Sequence, residues 1–95
     1  MDAGWTFLSN HAHVLICLAR DGDRRVRDLA LDVGITERAT QRILSDLEAA
    51  GYLMRERHGR RTHHRLVLDR PLRHPVEQGH TLRELVAALV TARQA

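Results

Sequence analysis

The chain contains a single cysteine, Cys17, so no disulfide can form within it, and the usage fits a reducing compartment. It has no run near the roughly 18 apolar residues that a membrane span requires. The N-terminus also lacks a basic segment followed by an apolar stretch and a cleavage site, so the expected location is the cytoplasm. Aromatic residues are scarce, with one Trp, one Tyr and one Phe in 95 residues. A single domain of this size has an adequate but not generous core, and such chains often complete it by pairing with a second subunit. There is no phosphate-cradling glycine loop, no nucleophile-elbow motif and no carboxylate cluster, so no enzymatic activity and no cofactor are expected. Asp28 and Asp32 share a helix face but flank arginines and read as surface charge.

Lysine is absent too: all fifteen basic residues are arginine. Their distribution says more than the formal charge of +3. Between positions 55 and 65, Arg55, Arg57, Arg60, Arg61 and Arg65 face a single acid, Glu56. That local excess is larger than the net charge of the whole chain, and it is the electrostatic footprint of a polyanion partner.

Residues 27–68 read as one device: RDLALDVG, then ITERATQRILSDLEAAG, then YLMRER-HGRRT-HHRLVL. The first segment is a helix over about 27–33 that buries Leu29, Ala30 and Val33, with Ala30 small where a second helix crosses closely. Gly34 takes the reversal, where a positive φ costs glycine least. Ile35 plugs the angle between the helices, Thr36 is an N-cap, and Glu37 in the first turn complements the helix dipole. Ile43, Leu44 and Leu47 form the inward face, and Gly51 ends the helix as its C′ residue. Two helices crossing at a short turn make a helix-turn-helix, whose second helix fits the DNA major groove. Apolar strands at 52–55 and 65–68, joined through His58-Gly59-Arg60-Arg61-Thr62, add a hairpin wing.

A first helix over 5–20 carries Leu8, Ala12, Leu15, Ile16 and Ala19 at helical spacing, with Ser9 or Thr6 as its N-cap. Asp21-Gly22-Asp23 stops it. Residues 69–79, DRPLRHPVEQG, form a connector in which Pro71 and Pro75 force extended conformations. A last helix starts at Thr81, where Thr81 and Glu84 have capping-box spacing, and Leu82, Leu85, Val86, Leu89 and Val90 share one face. The expected fold class is mostly α with a small β-hairpin: a winged helix-turn-helix with a three-helix core, a wing and a C-terminal dimerisation helix. Residues 1–70 form the DNA-binding domain, and 71–95 the connector and dimerisation helix.

The segment GITERATQRILSDLEAAGYLMRERHGRRT resembles the winged helix-turn-helix transcription regulators of bacteria, and most of all the small MarR-like group with an arginine-rich wing. The flanking WTFLSNHAHVLICLARD and PLRHPVEQGHT are similar to those of its short single-domain members. Thr40 stands where a buried Val or Ile is commoner, with its methyl able to face inward. The resemblance implies a dimeric, sequence-selective regulator of transcription, expected to be a repressor, with room for a small-molecule effector of unstated identity.

Arg38, Gln41 and Arg42 are the expected base readers, since Arg pairs bidentately with guanine and Gln with adenine. Thr36 and Ser45 are expected at phosphates, with help from the backbone N–H groups of the helix start. Glu37 either accepts from cytosine N4, orients Arg38 or stabilises the helix end. In the wing, Arg60 and Arg61 are placed at the tip for a minor groove or flanking phosphates, with Thr62 beside them and Arg57 and Arg65 as phosphate contacts on the flanks. Leu82, Leu85, Val86, Leu89 and Val90 are the expected dimer interface, and a two-fold pair implies a palindromic duplex site. The alternatives are a winged-helix protein-interaction module and a metal-responsive regulator using His11, His13 and Cys17. The second lacks four ligands at recognisable spacing, so no metal is expected. His58, His63 and His64 are expected to add pH-dependent positive charge to the wing, and His11 or His13 to line the dimer interface.

Overall fold

The computed structural model describes residues 4–90. Along the chain it has α1 (Asn10–Arg20), α2 (Val26–Val33), α3 (Glu37–Ala49), β1 (Leu53–His58), β2 (Arg61–Leu66), a 3-10 turn (Pro75–Glu77) and α4 (Leu82–Val90). This is the mostly helical fold with one hairpin that the sequence led us to expect.

Helix α1 begins five residues later than the hydrophobic spacing suggests, and local hydrogen bonding explains why. Ser9 Oγ accepts the Ala12 N–H at 3.2 Å and sets the start, whereas the Thr6 hydroxyl donates to the Leu8 carbonyl at 2.6 Å. The choice between the two caps therefore falls on Ser9. Val14 and Leu18 are buried as deeply as Leu15 and Ile16, because α1 packs against α2, α3, α4 and β2 and so buries more than one stripe.

Helix α2 closes on Gly34, which adopts φ +84° and donates its N–H to the Ala30 carbonyl at 2.8 Å. The Arg24 guanidinium forks onto both Asp32 oxygens at 2.9 and 3.0 Å and braces the start of α2 against its end. Asp32 is thus half of an ion pair. Helix α3 opens on Thr36, whose Oγ1 accepts the Ala39 N–H at 3.0 Å. Thr40 is fully buried on the inward face with Ile43, Leu44 and Leu47, and its hydroxyl donates to the Thr36 carbonyl at 2.9 Å. That internal bond is what lets a polar residue occupy a core position.

The hairpin is longer and its turn tighter than the apolar residues alone imply. Leu53 pairs with Leu66 and the ladder runs unbroken to His58 and Arg61, leaving only Gly59 and Arg60 to turn the chain. Gly59 has φ +67° while no non-glycine residue described has positive φ, the signature of a type II′ turn. Beyond the hairpin, the His64 N–H reaches the Gly22 carbonyl at 2.8 Å, so the turn between α1 and α2 lies along the free edge of β2. Only glycine fits there, since a Cβ on Gly22 would come within 2.6 Å of the His64 carbonyl oxygen.

The connector is pinned at both ends. The Tyr52 hydroxyl donates to the Pro71 carbonyl at 2.5 Å, Pro71 bridges to Thr81, and the Leu82 N–H reaches the Arg70 carbonyl at 3.0 Å. Leu82 is thereby driven fully into the core with Leu18, Leu44 and Leu53, and Leu85 and Val86 pack against the same cluster. This corrects one expectation: Leu82 is a core residue of its own chain and has no surface left for a subunit interface. Residues 91–95 of the expected dimerisation segment lie outside the described residues.

Candidate nucleic-acid interface

Burying Thr40, Ile43, Leu44 and Leu47 turns the opposite side of α3 to solvent. Arg38, Gln41, Arg42 and Ser45 follow the i, i+3, i+4, i+7 spacing that puts them on one helix face, and all four are exposed. Among the described residues neither Arg38 nor Arg42 forms an ion pair, so no described acid occupies either fork. Glu37 is exposed in the first turn of the same helix. The Thr36 oxygen caps the helix as an acceptor, which leaves its O–H able to donate to a phosphate.

The ladder sorts the wing into two faces, because side chains alternate along each strand. Leu53, Arg55 and Arg57 share one face with Thr62, His64 and Leu66; Met54, Glu56 and His58 share the other with Arg61, His63 and Arg65. On the first face Leu53 and His64 are buried and Arg55 binds Glu48 of α3 at 3.2 Å, which fastens the wing to that helix. Further toward the tip, Arg57 and Thr62 stand directly opposite each other, and among the described residues Arg57 forms no ion pair.

Arg65 lies on the other face, where its Nε donates to Glu56 at 3.0 Å and holds the Glu56 carboxyl below its ordinary range. The ion pair distinguishes it from Arg57, Arg60 and Arg61, which form none among the described residues. Arg60 and Arg61 line a cleft of about 300 Å³ with Thr62, and across it stands Arg25. Arg25 precedes the first turn of α2, which has no side-chain cap. Sequence reasoning missed Arg25, because only the fold brings positions 25 and 60 together.

Two expectations for the histidines change. His64 is 5% exposed, and burial first, then the nearby Arg55 guanidinium, pushes its ring below the ordinary value, so it adds no surface charge to the wing. His63 instead bonds Asp23 at 2.8 Å, tying the hairpin to the turn before α2, and this bond is the main cause of the lowered Asp23 carboxyl. His11 bonds Asp46 at 2.9 Å, and the His13 ring is bonded to Asn10 at 3.2 Å. Burial raises the Cys17 thiol above its usual value and keeps it protonated. Among the described residues, no three His, Cys, Asp or Glu side chains gather as a metal-ligating group.

Residues 10–54, running from α1 into the start of β1, match the family model described as winged helix-turn-helix DNA-binding. The fold is a winged helix-turn-helix. The match supports a DNA-binding transcription regulator, and the exposed arginine face of α3 lies inside the matched segment. A comparison with curated proteins finds no match. No helix among the described residues is long and apolar enough to cross a membrane. In this winged helix-turn-helix, α3 holds the place of the motif's second helix, called the recognition helix by position, and the hairpin that of the wing.

Proposed function

We propose that the protein is a sequence-selective repressor of the small MarR-like kind that binds a palindromic operator as a homodimer. The observation that carries this reading is the exposed face of α3 with Arg38, Gln41 and Arg42, whose arginines form no ion pair among the described residues. Arg38 and Arg42 would fork onto guanine O6 and N7, and Gln41 onto adenine N6 and N7. Thr36 and Ser45 would hold flanking phosphates, while Arg57, Arg60, Arg61 and Thr62 grip the backbone or minor groove.

Dimerisation is supported by the part of α4 that the core leaves uncovered. Leu89 and Val90 are only half-buried, and Leu85 and Val86 are only partly covered by the cluster beneath them. Trp5 and Phe7 pack edge to face at 4.9 Å ahead of α1, yet both are exposed. A second copy laid on these surfaces would bury them, and a two-fold axis would set the recognition helices about 34 Å apart. Occupying a promoter in this way represses by exclusion.

The test is selection of bound duplexes from a random pool, followed by sedimentation of the protein with and without the winning sequence. Recovery of a palindrome with half-sites one helical turn apart, bound by two chains, is the expected result. A pool that shows no enrichment, with the protein sedimenting as a monomer, would overturn the reading.

A further inference from the structure

His64 is where three elements meet. It lies on β2 directly across the ladder from Arg55, and its backbone N–H is bonded to Gly22 in the turn between α1 and α2. Its ring lines a cleft of about 290 Å³ shared with Gln41 and Ser45 of the recognition helix, and a second cleft shared with Arg25 and Arg61. The residue thus joins the wing to the turn and borders a cleft whose other side is the recognition helix. Among the described residues, its Nδ1 is the one buried side-chain polar atom without a hydrogen-bond partner.

On balance the surroundings of the ring disfavour its charged form: burial and Arg55 oppose it and outweigh the Gly22 backbone and Glu48, which favour it. From β1 comes Arg55, from the turn Arg24 and Arg25, and from the wing tip Arg60 and Arg61. The acids nearby are already engaged: Glu48 by Arg55, and Asp23 by His63, the next residue along β2. A proton on His64 would add a buried positive charge among arginines with no carboxylate free to receive it. Such a charge is relieved by fuller hydration, and lifting the wing from α3 would widen the clefts that border the ring and supply it.

We propose that His64 is the positioning residue that seats the wing against the recognition helix, and that protonating its ring unseats the wing and weakens DNA binding. The proposal rests on the DNA-binding reading above. Its sign is opposite to the one expected from a surface histidine, because protonating exposed His58 would add positive charge and strengthen the attraction to phosphate. A loss of affinity in acid therefore singles out the buried ring.

The experiment titrates the full chain against a labelled random-sequence duplex at fixed ionic strength, from about pH 7.5 to about pH 5.5. His64→Phe, which keeps a ring but cannot titrate, and His58→Gln are run beside the wild type. The wild type should lose affinity several-fold on acidification, by no more than about tenfold per pH unit. His64→Phe should hold or gain affinity, and His58→Gln should lose at least as much as the wild type. A wild type that gains affinity in step with His64→Phe would overturn the proposal. Nuclear magnetic resonance of the unliganded wild type gives a reading that depends neither on DNA nor on the folding of a variant. The His64 ring and the amides of residues 53–66 should shift together, with a midpoint below about 6.5. Wing amides that stay in place while the ring titrates would also overturn it. No duplex binding at any pH would sink the DNA-binding reading instead, and the resonance titration would then decide the wing release.

Discussion

Arg65 donates to Glu56 at 3.0 Å along one face of the wing, while Arg57, the next residue after Glu56, lies on the opposite face with no acidic partner among the described residues. The two arginines look interchangeable in a linear reading, but the register separates them. Arg57→Ala should weaken duplex binding for every sequence and lower the slope of log affinity against log salt by about 0.9, the contribution of one phosphate contact. Arg65→Ala should change both much less, since its guanidinium is already neutralised by a carboxylate. Binding titrations of the two variants at several salt concentrations check this, and equal losses would show that Glu56 releases Arg65 to the DNA.

Arg60 and Arg61 at the wing tip and Arg42 on α3 are all exposed, yet they should fail in different ways when removed. The double variant Arg60→Ala/Arg61→Ala loses two backbone contacts, so its salt slope should fall by about 1.8 with selectivity unchanged. Arg42→Ala should instead cost about 1–3 kcal/mol on the preferred operator and relax the choice at one base pair. Parallel selections from a random pool distinguish these outcomes, because only the second variant should recover an altered consensus.

The legible parts of the fold were those set by local chemistry. Thr36 as a cap, Gly34 in the left-handed region and the buried stripe Ile43, Leu44 and Leu47 each follow from steric or hydrogen-bonding demands within a few residues. The wing strands, expected at 52–55 and 65–68, stop short of the turn and the second runs past its observed end at Leu66, because Glu56-Arg57 and Thr62-His63-His64 carry no apolar alternation. Backbone pairing holds them, and that leaves no mark in hydropathy. For the interface, the outward face of α3 was legible because its buried face is. The roles of Arg65 and His64 were not, since a one-residue slip in register would exchange the two faces of the wing. Leu82 was misplaced for a longer-range reason: the Tyr52–Pro71 hydrogen bond, spanning nineteen residues, docks the connector and pulls α4 into the core.

That docking separates two apolar residues of one helix. Leu82 is fully enclosed by its own chain, so Leu82→Ala should destabilise the fold by about 2–5 kcal/mol at any protein concentration. Leu89 is only half-buried seven residues later, and Leu89→Glu should leave the folded monomer in place while shifting the association equilibrium toward it. Thermal unfolding over a range of concentrations, paired with sedimentation, reads both. A Leu89→Glu protein that still sediments as a dimer would move the subunit contact away from the end of α4.

Acid should loosen the fold through the same turn that meets the wing. The Asp23 carboxyl is held below its ordinary value of 3.8, chiefly by its hydrogen bond to His63. A carboxyl with a lower value in the fold than in the unfolded chain binds fewer protons when folded. Its stabilising contribution is therefore present above the unfolded value and drains away as pH falls through the folded one. His64 acts in the same direction at higher pH, because its lowered ring value makes the unfolded chain the better proton acceptor from about pH 6.5 downward. Stability measured by denaturant titration should thus decline in two stages on acidification. His64→Phe should flatten the upper stage and Asp23→Asn part of the lower, with Asp32, Glu56 and Glu84, all lowered by their own partners, supplying the remainder. If Asp23→Asn follows the wild-type curve throughout the acid range, the His63–Asp23 bond does not hold the wing to the turn in solution.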